Sequence, residues 1–222
     1  MILVAARDEA DRIVDTIEAL KEALPGARIV VADDGSRDGS SDLALAHGAE
    51  VVSRRRPHGK GGSMTAAAAT IAPLTELDEP PTFLLCDGDL GSSARALPRL
   101  VDAVEAGECD LAVAAFARRV GGGFGIALRF ARWAILTRSA YRARAALSGQ
   151  RAMRADVLRA VLPFSAGYGM ETGMTIDAVR AGFAIREIEL DLEHRATGRT
   201  LGGFAHRARQ LADIAGAWWA RR

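Results

Sequence analysis

Cysteine is nearly absent from this sequence. The 222 residues include two, Cys86 and Cys109. That is too few for a disulfide framework, and their spacing does not build a metal site, so a reducing compartment is the expectation. No apolar run reaches the ~18 residues of a membrane-spanning helix. The longest, Phe124 to Leu136, is broken by Arg129 and Arg132. The first apolar segment meets Arg7, Asp8 and Glu9 too early for a secretory signal, and none is expected. An excess of one charge is missing as well. Lys and Arg number 29 against 28 Asp and Glu, a net charge of +1 that gives no global drive toward nucleic acid. The expected location is the cytoplasm, with any membrane contact peripheral, at the inner face.

What remains is an ordinary globular balance, 49% hydrophobic and 26% charged, at a length that suits one α/β domain. Short apolar runs at Met1–Ala6, Arg28–Ala32, Ala49–Ser53, Phe83–Cys86 and Leu111–Phe116 read as strands. Helical patterns at Glu9–Leu24, Gly39–His47, Ser63–Ala72 and Ala94–Ala106 alternate with them. This order predicts a mostly parallel central sheet flanked by helices. Farther on, Phe124–Leu147 and Phe204–Trp219 read as helices and Ile185–Leu192 as a half-buried strand. No linker divides the chain, so residues 1–222 are read as one domain, with a first half over 1–116 and a second over 117–222.

Three clusters carry polar chemistry. Asp33-Asp34-Gly35-Ser36 closes the second strand, where ligands of open α/β sheets bind. Carboxylates there suit a base ring N–H or a ribose hydroxyl, although an Asx-turn with a helix cap has the same sequence signature. Asp87-Gly88-Asp89 follows another strand. Two carboxylates one residue apart can hold a hard divalent cation, and a D-x-D pair is equally a common solvated turn. Arg54 to Gly62 is a basic loop containing Gly59-Lys60-Gly61. It lacks the spacing of a P-loop, yet a lysine among glycines before a helix can meet a phosphate.

Taken in order, these clusters resemble the family 2 glycosyltransferases, which have the GT-A fold. Ala5-Ala6-Arg7-Asp8-Glu9, Asp33 to Gly39, Gly59-Lys60-Gly61 and Asp87-Gly88-Asp89 carry the resemblance. In the second half, Ser148 to Arg154 resembles a segment of polyprenyl-phosphate sugar transferases. Gly167 to Gly173 resembles one of glucosyl-3-phosphoglycerate synthases. The resemblance implies that Ala5, Glu9, Asp33 and Asp34 hold the nucleoside and that Lys60, Asp87 and Gly88 lie along the nucleotide sugar. It also implies that Asp87, Asp89 and His194 bind Mg²⁺ or Mn²⁺, with Asp89 the direct ligand. Glu171 falls where a catalytic or acceptor-site carboxylate is expected, and a dipole-favoured acid at a helix start is the structural alternative. Two departures stand out: Ala5 to Glu9 replaces the usual Pro-x-Tyr-Asn-Glu, and the familiar Glu-Asp pair is missing.

From Arg118 to Ala155 there are nine arginines and no Asp, Glu or Lys. Arginine suits phosphate recognition, and Gly149, Arg151 and Arg154 are the expected acceptor contacts. The segment also interleaves Phe124, Ile126, Phe130 and Trp133, a pattern compatible with an anionic bilayer, a small anionic acceptor or an ordinary solvated helix. The expected activity is metal-dependent transfer from a nucleoside-diphosphate sugar, UDP- or GDP-linked, to a phosphate-bearing small molecule or a membrane-associated polyprenyl phosphate. A non-catalytic nucleotide-sugar binding module is one alternative. A sugar-phosphate nucleotidylyltransferase is another, although the Gly-rich loop that class carries after its first strand is missing.

Overall fold

The computed structural model describes residues 1–54, 56–116, 125–192 and 201–222, with the backbone alone at 74, 75 and 201–207. Seven strands form one sheet in the order β3-β2-β1-β4-β6-β5-β7. They are β1 (Ile2–Ala6), β2 (Ile29–Asp33), β3 (Glu50–Ser53), β4 (Phe83–Asp87), β5 (Leu111–Phe116), β6 (Arg151–Met153) and β7 (Ile185–Leu190). All pairings are parallel except those of β6, which runs antiparallel between β4 and β5. Residues from both halves of the chain therefore share one sheet.

The central strands β1, β2, β4 and β5 are apolar up to their last residue because both faces are covered, whereas the edge strands β3 and β7 carry exposed polar residues. Ile2, Val4, Ile29 and Val31 pack on one side against α1 (Ile13–Ala23) and α4 (Pro98–Glu105). Leu3, Val30 and Leu85 pack on the other against α3 (Lys60–Ile71), α6 (Ala155–Val161) and α7 (Met170–Arg180). The short α2 (Ser40–Ala46) lies between β2 and β3. A third core joins α5 (Ile126–Ser139) to α8 (Leu201–Ala220) through Ala131, Ala134, Ile135 and Ile214.

Several boundaries differ from the sequence reading. Residues 9–12 form a turn rather than the start of α1, because the Glu9 and Ala10 N–H groups donate to Ser40 Oγ and Asp38 Oδ2. The helix read over Ala94–Ala106 is split: a 3₁₀ turn covers Gly91–Ala96, and α4 starts at Pro98, whose missing N–H suits a first helical position. The long helix read over Phe124–Leu147 stops at Ser139. Ala140 takes φ +58°, and the N–H groups of Arg144 and Ala145 donate instead to Glu187 Oε1 at 2.8 and 3.1 Å.

Three elements went unread as segments: β6, α6 and α7, of which only a helix start at Glu171 was weighed. β6 is three residues long and begins with an arginine. α7 is buried on every side from Met170 to Ile176, so no polar stripe marks its period. It tolerates Gly173 because Ser165 Oγ would lie 2.3 Å from an added Cβ.

The start of α3 is fixed as tightly. A Cβ on Gly61 would fall 1.8 Å from the Ser165 carbonyl oxygen, and backbone gives way only by moving the chain. Gly61→Ala is expected to cost about 3 kcal/mol or more, read as a lowered urea midpoint; an unchanged midpoint would refute this packing.

Candidate active site

The carboxyl ends of β1, β2 and β4 lie together with the start of antiparallel β6. At this edge Lys60, the first residue of α3, projects between two carboxylates. Its Nζ stands 2.5 Å from Asp87 Oδ1 and 2.7 Å from Glu171 Oε1. Asp87 ends β4, and Glu171 lies in the first turn of α7. Burial works against the Lys60 charge, but Asp87 and Glu171 outweigh it and hold the ammonium above its ordinary pKa. Gln150 Nε2 donates to the other oxygen, Asp87 Oδ2, at 2.7 Å, while Gln150 Oε1 accepts from Ser148 Oγ at 3.0 Å. Both oxygens of Asp87 are thus engaged by protein donors.

Gly149 is the floor under this cluster. An added Cβ would lie 2.4 Å from Lys60 Nζ and 2.8 Å from Asp87 Oδ2. Gly149→Ala is expected to push the lysine and aspartate apart, with a loss of turnover far larger than any loss of stability, because Lys60 has a flexible stem that can yield. Steady-state kinetics beside thermal melting would check this. Wild-type turnover would contradict it.

The expected nucleoside side is built differently from its sequence pattern. Asp33 and Asp34 are buried, 1% and 4% exposed. Asp33 accepts from Ser36 N at 3.1 Å, from Ser36 Oγ and from Ser53 Oγ at 2.8 Å. Burial alone would raise its pKa, but these serine donors reverse the shift and hold the carboxyl below its usual value. Asp34 accepts from His58 N at 2.8 Å and Gly59 N at 3.0 Å, with Arg7 Nη1 at 3.5 Å. It pins the Gly-Lys-Gly loop, and Gly59 turns into α3 at φ +77°. Asp33 thus closes its own turn through the Ser36 N–H, while the helix-cap part of the structural alternative fails, since α2 begins after Gly39 with no side-chain cap. Ala5 and Glu9 are half-buried at the same edge, and the Ala5 carbonyl accepts from Gly88 N at 2.8 Å.

Two of the expected acceptor contacts are engaged within the protein. Arg151 is fully buried, its Nε donating to the Ser148 carbonyl and its Nη1 to Thr175 Oγ1, each at 2.9 Å. Burial pushes its pKa down to about 10 against the pull of Glu171, Glu187 and Tyr141, so it stays charged at neutral pH as an internal strut. Arg154 lies past the far end of β6, beside the amino ends of β4 and β5, paired with Asp110 at 2.9 Å and with Asp156. The antiparallel run of β6 carries it to the opposite edge of the sheet. His194, Arg118 and Arg119 lie outside the described residues.

Three contributors escaped the sequence reading. Gln150 and Ser148 support Asp87, and the sequence marked them only as members of the Ser148–Arg154 segment, with no role of their own. Tyr168 is half-buried beside Lys60 and Arg7. Burial raises its phenol pKa against the pull of those cations, and its N–H donates to Asp213 Oδ2 at 3.0 Å.

The donor chemistry was tested against a divalent cation. Asp89 is a half-buried carboxylate in the turn after β4. Among the described residues no group of three or more His, Cys, Asp or Glu side chains could hold a metal by itself. This set fits a hard cation that takes one carboxylate from the protein and its remaining oxygens from substrate phosphates and water.

A sheet of this topology, with acidic groups, a lysine and a helix start converging at its carboxyl edge, has the α/β architecture whose ligands bind at the carboxyl ends of the strands. The sequence profile of Glycosyl transferase family 2 matches residues 1–161, and the chain belongs to that family of glycosyltransferases. Undecaprenyl-phosphate mannosyltransferase of Micrococcus luteus is 29% identical over 217 residues, covering 90% of this chain and 86% of that protein. Glucosyl-3-phosphoglycerate synthase of Mycobacterium tuberculosis in complex with phosphoglyceric acid matches with TM-score 0.78 at 27% identity, over 99% of this chain and 78% of that one. The same synthase with Mg²⁺ and uridine-diphosphate matches with TM-score 0.76 at 27% identity, over 97% and 78%. With Mn²⁺, uridine-diphosphate and glucosyl-3-phosphoglycerate it matches with TM-score 0.73 at 26% identity, over 97% and 78%. The expected GT-A fold and the glycosyltransferase class are thereby shown.

Proposed function

We propose that this enzyme transfers a glycosyl unit from a nucleoside-diphosphate sugar, UDP- or GDP-linked, to an acceptor that carries a phosphate group. The observation that carries this reading is Lys60 held between Asp87 and Glu171 at the start of α3. A cation at a helix amino end is placed to receive a diphosphate. The relatives support the acceptor class. One is named for a polyprenyl phosphate and the other was solved with phosphoglyceric acid, and phosphate is the chemistry common to both.

In this reading the nucleoside lies along Ala5, Glu9 and the Asp33–Ser36 turn, with Asp33 and Asp34 holding the loops that frame it. Gly88, packed on Ala5, keeps the turn close to the sugar-diphosphate. Asp89, with His194 as a further ligand, would hold Mg²⁺ or Mn²⁺, and the cation when bound would supply positive charge to the departing diphosphate. Asp87 orients Lys60 rather than holding the cation directly. The bond between the anomeric carbon and the diphosphate oxygen breaks, and a bond to the acceptor oxygen forms. If that oxygen is a hydroxyl, its proton passes to Glu171; a phosphate oxygen has none to give up. Among the described residues no helix is long and apolar enough to cross a membrane, so contact with a lipid-borne acceptor is peripheral, at the cytoplasmic face.

The test is release of nucleoside diphosphate from UDP- and GDP-sugars with Mn²⁺, in the presence of 3-phosphoglycerate, a short polyprenyl phosphate or glycerol. Stimulation by a phosphate-bearing acceptor and none by glycerol is expected. Equal stimulation by glycerol would remove the acceptor claim, and donor binding without any turnover would favour a binding module.

A further inference from the structure

α5 is packed with its apolar surface divided in an unusual way. Its inner face is small, with Ala131, Ala134 and Ile135 buried, while Ile126, Trp133 and Leu136 point outward at 57%, 45% and 37% exposure. Near the end of α8, Trp219 is 56% exposed. Of the six large hydrophobic residues exposed among the described residues, these four gather on one side of the molecule. The rings form a continuous ladder. Phe130 stacks on Trp133 at 5.5 Å, Trp133 meets Trp218 at 5.1 Å, and Trp218 meets Trp219 at 6.2 Å.

Arginines border the ladder. Arg138 lies over the Trp218 ring at 4.2 Å and Arg222 over Trp219 at 3.9 Å. Arg129, Arg132 and Arg142 are exposed. Shallow hollows open between Ile126, Arg129 and Phe130 and between Arg132, Trp133 and Leu136, each joining apolar wall to a guanidinium. α5 contains no carboxylate. Those of the elements packed beside it are engaged: Asp177 by Arg221, Glu187 by the Arg144 and Ala145 N–H groups, Glu189 by Arg144, and Asp213 by the Tyr168 N–H.

We propose that this α5–α8 face docks on an anionic phospholipid bilayer, with the tryptophans and Leu136 entering the boundary between headgroups and acyl chains and the arginines meeting lipid phosphates. Both halves of the pattern follow from that partner. Aromatic and aliphatic side chains gain by leaving water for the interface, and each basic residue there gains from the negative surface potential. A small soluble phosphate would account for the arginines but not for four exposed apolar side chains. A second copy fits poorly, because a two-fold interface would set these arginines against their own equivalents. The proposal goes beyond the transfer reaction and does not depend on it. If both hold, a lipid-borne acceptor would be presented on the side of the molecule that carries α5 and α8.

The test is co-sedimentation of the full chain with phosphatidylcholine vesicles, with and without phosphatidylglycerol, at low and high salt. Binding to the anionic vesicles, weakened by salt and slight with phosphatidylcholine alone, is expected. The pair Arg129→Glu and Arg132→Glu should weaken partitioning by ~tenfold or more, and Trp133→Ser should weaken it severalfold, both in folded protein with unchanged donor binding. No pelleting with anionic vesicles, equal pelleting with phosphatidylcholine, or wild-type partitioning in both well-folded variants would overturn the proposal. A dimer dissolved by Trp133→Ser, without vesicle binding, would overturn it in favour of a second copy. Because sedimentation uses no donor or acceptor, vesicle binding by a chain that binds no nucleotide sugar would defeat the transferase reading alone.

Discussion

Lys60→Met is expected to reduce turnover by roughly 10²–10³-fold or more, the range for loss of a preorganised charge that stabilises a transition state. The methionine keeps the apolar stem and removes the ammonium that stands 2.5 Å from Asp87 and 2.7 Å from Glu171. Two carboxylates then share the site without a cation between them. Removing one partner of a fully buried pair costs about 3–5 kcal/mol. Here Asp87 is 30% and Lys60 19% exposed in the side chain, so a loss of roughly 1–3 kcal/mol is expected. The pH dependence follows from the directions of the shifts. In the wild type the Lys60 pKa is held up, so its contribution is complete at neutral pH and is lost only at high pH. The stability deficit of Lys60→Met should therefore be full from acid to neutral pH and shrink only at strongly alkaline pH, where the wild type loses the same contribution. A variant with wild-type turnover, or with a stability deficit that grows as pH rises above neutral, would contradict the assignment.

Glu171→Gln separates chemistry from architecture. The substitution keeps the shape of a side chain that is 5% exposed and removes its charge. Lys60 retains Asp87 as a partner, so donor affinity is expected to stay within a few-fold. For an acceptor that attacks through a hydroxyl, kcat should fall by about 10²–10⁴-fold, the usual contribution of a positioned base. For an acceptor that attacks through a phosphate oxygen it should change little, since no proton leaves. Steady-state kinetics with both kinds of acceptor, taking kcat and KM separately, reads the difference. An unchanged kcat with a hydroxyl acceptor would reduce Glu171 to an acid at a helix amino end.

The sequence made the first half of the sheet legible because β1, β2 and β4 are apolar on both faces and end at polar turns. Asp33 and Asp87 end their strands and Lys60 opens α3, as their positions implied. The partners of these groups were not legible. Gln150 and Glu171 reach Lys60 and Asp87 only after the chain has passed through α5 and returned as β6 and α7. Arg151 and Arg154 illustrate the same limit. They sit three residues apart, yet the antiparallel β6 buries the first within the core and carries the second to the opposite edge. An arginine-rich composition marked the segment without telling an internal strut from a surface cation. α7 was missed because a helix buried on all sides has no amphipathic period to read.

The central claim is donor binding through a cation at Asp89. Calorimetric titration with UDP- and GDP-sugars, with Mn²⁺ and with chelator, on the wild type and on Asp89→Ala, tests it most directly. Binding of one donor that requires Mn²⁺ and disappears in a folded Asp89→Ala variant is the predicted result. Equal affinity with metal and with chelator, or in Asp89→Ala, would contradict it.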